Sequence, residues 1–126
     1  MSSKELKVLN FNYNWNTKLR CRNFTTIRLR NDAKYFKGAR FSITLQNYQK
    51  GMAKVIDVKF MTLDKVNEWI ARLDTGYSAK ECREMIKTMY KNAPLIDWKT
   101  QELVYVLLEW ENQEGMDNLF EKIEKE

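Results

Sequence analysis

The chain contains no histidine. That absence removes imidazole as a general base, and with it the familiar serine and cysteine triads. It also leaves a structural zinc site without half of its usual ligands, because the two cysteines, Cys21 and Cys82, are isolated and form no CxxC pair. No metal and no cofactor is expected, and chemistry would fall to carboxylates, lysines, threonines or a thiolate. Two unpaired thiols suit a reducing, cytoplasmic setting. Proline occurs once, at Pro94, and glycine four times. Without a proline- or glycine-rich linker, the 126 residues read as one domain, 1–126. The start, MSSKELKVLN, lacks the charged region, apolar run and small-residue site of a secretory leader. No uncharged apolar stretch reaches the roughly 18 residues a membrane span needs, so no membrane partner is expected.

What the chain does have is charge, unevenly placed. Residues 1 to 60 hold 13 Lys+Arg against 3 Asp+Glu (13 − 3 = +10), and residues 61 to 126 hold 9 against 14 (9 − 14 = −5), which together give the net +5. A basic half beside an acidic half suggests a positive surface suited to phosphate or nucleic acid. The plainer reading is that these cations keep strands soluble and block edge pairing.

Hydrophobic periodicity gives a mixed organisation. Residues 5 to 12 alternate as a first strand, NYNWNTKLRC suits a short helix, and Thr25, Ile27 and Leu29 alternate with Thr26, Arg28 and Arg30. Thr26 and Arg28 therefore face the same way. Phe41, Ile43 and Leu45 form a strand that NYQKG at 47 to 51 turns into the next, with Ile56, Val58 and Phe60. From a Thr62 cap, Leu63, Val66, Trp69, Ile70 and Leu73 follow helical spacing until Gly76. Ser78 and Glu81 form a capping box ahead of Cys82, Met85, Ile86, Met89 and Tyr90. After a loop around Pro94, residues 102 to 110 form a nearly continuous apolar strand, and Met116, Leu119, Phe120 and Ile123 space as a terminal helix over about 116–126. This order predicts an α+β domain with a mixed or barrel-like sheet.

The same order, with the basic strand ending TTIR, the helical pair LDTGYSAKECREMIKTMY and the closing strand VYVLLEW, resembles the ASCH domain. The resemblance covers a core of about residues 6–110 and implies a small, mixed, PUA-like β-barrel with two or three flanking helices. ASCH sequences commonly carry Gly-x-Lys-x-x-Glu-x-Arg, with threonine for the glutamate in one branch. Here Cys21 to Arg28 keep the threonine variant at Thr26 and the final Arg28. The threonine branch includes small bacterial amidohydrolases that deacetylate N4-acetylcytidine, in which a lysine, a threonine and a glutamate are implicated. Carried over, the threonine is Thr26, the glutamate position holds Asp74 and the lysine position holds Asn23. An amide has no titratable proton near neutral pH and cannot activate a hydroxyl. Asn23 therefore tilts the expectation from catalysis by Thr26 and Asp74 towards binding.

The binding expectation is a cleft lined by Asn23, Thr26, Arg28 and Asp74, with Arg20, Arg22, Arg30, Lys37 and Arg40 around it, that recognises RNA or a nucleoside- or nucleotide-like ligand. Arginine suits this role because its planar fork binds phosphate or a base edge with two hydrogen bonds. Arg28 is otherwise a sheet-surface arginine, and Asp74 otherwise a residue that ends a helix. Tyr13, Trp15 and Tyr35 are candidates for stacking on bases, while Trp69, Trp98 and Trp110 read as core. Cys21, between Arg20 and Arg22, is either an activated thiol or inert packing, with no base identifiable beside it.

Overall fold

The computed structural model describes residues 7–113; the helix expected over 116–126 lies outside them. The strands are β1 (Lys7–Phe11), β2 (Asn23–Leu29), β3 (Arg40–Leu45), β4 (Tyr48–Thr62) and β5 (Glu102–Gln113), and the helices α1 (Glu68–Thr75) and α2 (Ala79–Met89). Short 3-10 turns cover Trp15–Arg20 and Leu63–Lys65. The five strands form one sheet in the order β1-β3-β4-β5-β2, with β1 and β3 parallel and the other pairs antiparallel.

The sheet curls into a half-barrel. β1 and β2 end the strand order on opposite sides, yet the rings of Phe11 and Phe24 meet edge-on with centroids 6.0 Å apart. Register shifts along β4, between Met52 and Ala53 and between Val55 and Asp57, give the long strand the extra twist this closure needs. All five strands fill the interior: Leu9 and Phe11, Phe24, Phe41 and Ile43, Ala53 and Val55, and Val104, Val106, Leu108 and Trp110. Each fully buried aliphatic or aromatic side chain contributes about 1.5–3 kcal/mol.

β5 is apolar on both faces because both are covered. Val104, Val106 and Leu108 point into the barrel, whereas Leu103 packs outside with Ile27, Val66, Ala71, Cys82 and Ile86 beneath the helices. This explains the uninterrupted apolar run in the sequence. The α+β barrel-like class expected from the pattern is the one observed.

Three local expectations are corrected. The β3–β4 hairpin turns at Gln46 and Asn47, with φ of 52° and 68°, so Leu45 pairs with Tyr48 and most of NYQKG is strand. Contacts from β1 hold this turn: Phe11 O accepts from Gln46 N–H and Asn10 Oδ1 from Asn47 N–H. Next, Thr62 ends β4 and bonds Asp64 instead of capping a helix; Asn67 caps α1, its Oδ1 accepting from Ile70 N–H at 2.9 Å. A start at Asn67 sets the helix phase by buried Ala71, Asp74 and Thr75, which leaves Trp69 77% exposed rather than in the core. Trp110 is buried and Trp98 partly so. Gly76 does end α1 in the left-handed region, and the Ser78–Glu81 capping box forms with both reciprocal bonds.

Candidate functional site

The site begins with an irregular turn. In Trp15–Arg20, Asn16 and Thr17 have φ of 57° and 49°. Asparagine tolerates this region, but a β-branched threonine there costs about 1–3 kcal/mol. The turn is held by Asn14 Oδ1, which accepts from Leu19 N–H at 2.9 Å, and by Asn16 Nδ2, which donates to the Leu73 carbonyl at 3.3 Å. So anchored, it sends Leu19 into the barrel core and buries Lys18 against α1.

Lys18 Nζ donates to Asp74 Oδ1 at 2.9 Å, and Thr25 Oγ1 donates to the same oxygen at 2.7 Å. The two charged side chains are 7% and 6% exposed. Asp74 sits in the last turn of α1, the end where the helix dipole disfavours a carboxylate, and Lys18 and the Thr25 hydroxyl offset that. Burial pulls the Lys18 amine below the ordinary lysine value; Asp74 opposes the shift and Arg28 adds to it.

A second pair faces the same space. Arg28 Nε donates to Thr26 Oγ1 at 2.9 Å, its Nη2 donates to the Asn10 carbonyl at 3.1 Å, and its guanidinium lies 5.0 Å from the Phe11 ring centre. Arg28 thereby spans the seam between the two edge strands. Thr26 and Arg28 share one face of β2, as the alternation predicts.

Both pairs line a cavity of about 300 Å³. Asn10, Phe11, Asn12 and Trp15 contribute from β1 and the loop after it, and Cys82, Met85, Ile86, Met89 and Tyr90 from α2 and its cap. A few polar groups facing an apolar wall are what a small, planar, polar ligand requires. Trp15 also joins Tyr13 and Tyr77, at 4.7 Å and 5.9 Å, in an aromatic cluster that leaves Tyr13 and Tyr77 exposed. The Cys82 thiol, fully buried, is pushed up to about 11, chiefly by burial.

Of the residues singled out in the sequence, Thr26, Arg28 and Asp74 come together around this cavity. Of the other site candidates, Trp15 also lines it and the rest lie off it. Asn23 is exposed at the start of β2, opposite Glu109. Arg20, Arg22 and Lys37 are exposed. Arg30 is bound by Asp32 at 2.8 Å and Glu102 at 2.9 Å, with its guanidinium 3.8 Å above the Phe60 ring, and Arg40 pairs with Glu111 at 2.8 Å. Tyr35 is buried and stacked on Phe41, so it cannot stack on a base. Cys21 is exposed and free. Lys18 and Thr25 were not expected: Thr25 lies on the opposite face of β2 from Thr26, and Lys18 sits in a turn with no periodicity to reveal it. No helix among the described residues is long and apolar enough to cross a membrane.

No family model matches the sequence, and no curated protein matches it. Among solved structures, the crystal structure of protein EF3133 from Enterococcus faecalis V583, described by the family model DUF984, superposes with a TM-score of 0.64. The match covers 89% of this chain and 85% of that one with 14% identical residues, and it establishes a shared fold.

Proposed function

We propose that the chain is an ASCH-like amidohydrolase that removes an acyl group from the exocyclic amine of a cytosine-like ring. The observation that carries this reading is the buried Lys18–Asp74 pair in the wall of the cavity that also holds Thr26 and Arg28. Lys18 supplies the amine that Asn23 does not. With its proton affinity lowered, Lys18 is suited to take a proton from water as the water oxygen attacks the acyl carbon. Thr26 Oγ1 accepts from Arg28, so its own O–H is the one to donate to the developing oxyanion. On collapse, Lys18 returns its proton to the departing ring amine, giving the free amine and a carboxylic acid that ionises by releasing its remaining proton to solvent. Asp74 holds the amine in place throughout.

A cavity of about 300 Å³ suits a single base and its acyl group, which narrows the expected RNA or nucleotide-like ligand to a small molecule at this site. The reading assigns the enzyme to a reducing cytoplasm, in keeping with two free thiols. The test is incubation with N4-acetylcytidine, following cytidine and acetate release. The proposal expects turnover that falls on Lys18→Met by about 10²–10⁴. No turnover by the wild-type protein, or turnover unchanged in Lys18→Met, would overturn it. Binding without turnover is the second reading, favoured by the Tyr13–Trp15–Tyr77 cluster beside the cavity. Calorimetric binding of cytidine with no hydrolysis of its acyl derivative would select it.

A further inference from the structure

Along a flanking face of α2, a second concavity of about 540 Å³ is lined by Leu63, Asp64, Arg83, Lys87, Trp98 and Lys99. We propose that this groove binds single-stranded nucleic acid. It belongs to neither the basic strand singled out in the sequence nor the cavity above, and the inference stands apart from the hydrolytic reading.

Three cations and one carboxylate line the groove. The carboxylate, Asp64, is bonded by the Thr62 hydroxyl. Arg83 is fixed in place, its Nη1 donating to the Val66 carbonyl at 2.8 Å, so its guanidinium is oriented before any ligand arrives. Among the described residues Lys87 pairs with Glu84 at a long 3.8 Å, and both side chains are exposed, so its ammonium reaches an incoming phosphate at little cost. Trp98, next to Lys99 in the loop, adds a partly buried ring whose centre lies 6.5 Å from that of Tyr90.

The shape selects the ligand class. A small nucleotide gains affinity by being mostly enclosed, whereas this concavity is more open to solvent than the cavity at Lys18 and Asp74. Cations around an open concavity, with the partly buried Trp98 ring among them, instead suit a strand that collects modest charge and stacking contributions from successive nucleotides. Of the cations expected from the sequence at such a surface, Arg30 and Arg40 are bound to carboxylates, and the proposed face is a different one, formed by α2 and the loop at Trp98.

Fluorescence anisotropy with a labelled oligouridylate and the matching oligothymidylate, across about 50 to 200 mM salt, tests this. The expected result is salt-dependent binding that weakens by about tenfold or more in Lys87→Glu/Lys99→Glu, with the log–log salt slope shallower by about 1.4 for two lost phosphate contacts. Both positions are exposed at the surface, and an unchanged circular dichroism melt confirms that the variant is folded. Equal binding of both oligomers places the recognition in phosphate and base stacking. Absence of binding to either at low salt overturns the proposal, as does binding indifferent to the two reversals but lost on Arg20→Glu/Arg22→Glu.

Discussion

Replacing Lys18 by methionine removes the charge while keeping the length of the side chain. Both members of the pair are nearly inaccessible, at 7% and 6% exposure, so the discount for solvent screening that applies to surface pairs does not apply here. The substitution leaves the Asp74 carboxylate buried with only the Thr25 hydroxyl among the bonds described at Oδ1. Breaking a buried pair in this way costs about 3–5 kcal/mol, a large part of the roughly 5–15 kcal/mol that holds a domain folded. For a chain of this size the midpoint of thermal unfolding should drop by roughly 10–20 °C. Lys18→Met/Asp74→Asn, which removes both charges, should recover most of that loss, because a neutral pair has no charge to desolvate. The pH dependence carries a sign. With its folded value below the ordinary 10.5, Lys18 gives up its proton in the native state before the unfolded chain does. The unfolded state then holds more protons across the window from that lowered value up to 10.5, and stability rises with pH there. The wild type should therefore gain on Lys18→Met as alkaline pH is approached. Urea unfolding followed by far-ultraviolet circular dichroism measures all three. A Lys18→Met protein within about 1 kcal/mol of wild type, or a double variant no better than the single, would refute the reasoning about the buried pair.

Thr26→Val should lower turnover of N4-acetylcytidine by about 10²–10³ through loss of the oxyanion donor, and cost about 1–2 kcal/mol because Arg28 Nε loses its acceptor; steady-state kinetics and urea titration read the two effects. Gly76→Ala should destabilise by about 1–2 kcal/mol, since φ is 84° and the new Cβ would meet Asn16 Oδ1 at 3.3 Å; the displaced Asn16 should also weaken activity through the turn that carries Lys18. Ser78→Ala should cost about 1 kcal/mol in the same unfolding assay by opening the capping box of α2. Alkylation near pH 8, read by mass spectrometry, should label exposed Cys21 and spare Cys82, whose buried thiol titrates at about 11. Rapid modification of Cys82 in the native protein would contradict its burial.

The parts of the fold that local chemistry dictates were readable in the sequence. The alternation in β2 places Thr26 with Arg28, the Ser78–Glu81 box starts α2, and Gly76 stops α1, because each rests on neighbours within a few residues. Trp69 misled because the helix begins at Asn67 and not at Thr62, a shift that rotates the buried face. The hairpin was displaced because Gln46, an unusual residue for positive φ, occupies the turn, and contacts from β1, distant in sequence, hold it. Strand pairing brings the basic and acidic halves together at two of the expected cations, where Glu102 meets Arg30 and Glu111 meets Arg40, while Arg20, Arg22 and Lys37 stay exposed. Lys18, which carries the proposed reaction, was not legible in the sequence. Its placement depends on two left-handed residues and on Asn16 reaching the end of α1, and no spacing rule encodes a turn of that kind.

The central claim is that one cavity, walled by Lys18–Asp74 and Thr26–Arg28, holds an acylated base. Crystals of Lys18→Met/Asp74→Asn soaked with N4-acetylcytidine test it directly, since the cavity is retained while turnover is removed. The account predicts density for the ring against Met85, Met89 and Tyr90, with the acyl oxygen within hydrogen-bond distance of Thr26 Oγ1. Density for the nucleoside elsewhere on the molecule, or an empty cavity at saturating ligand, would contradict it.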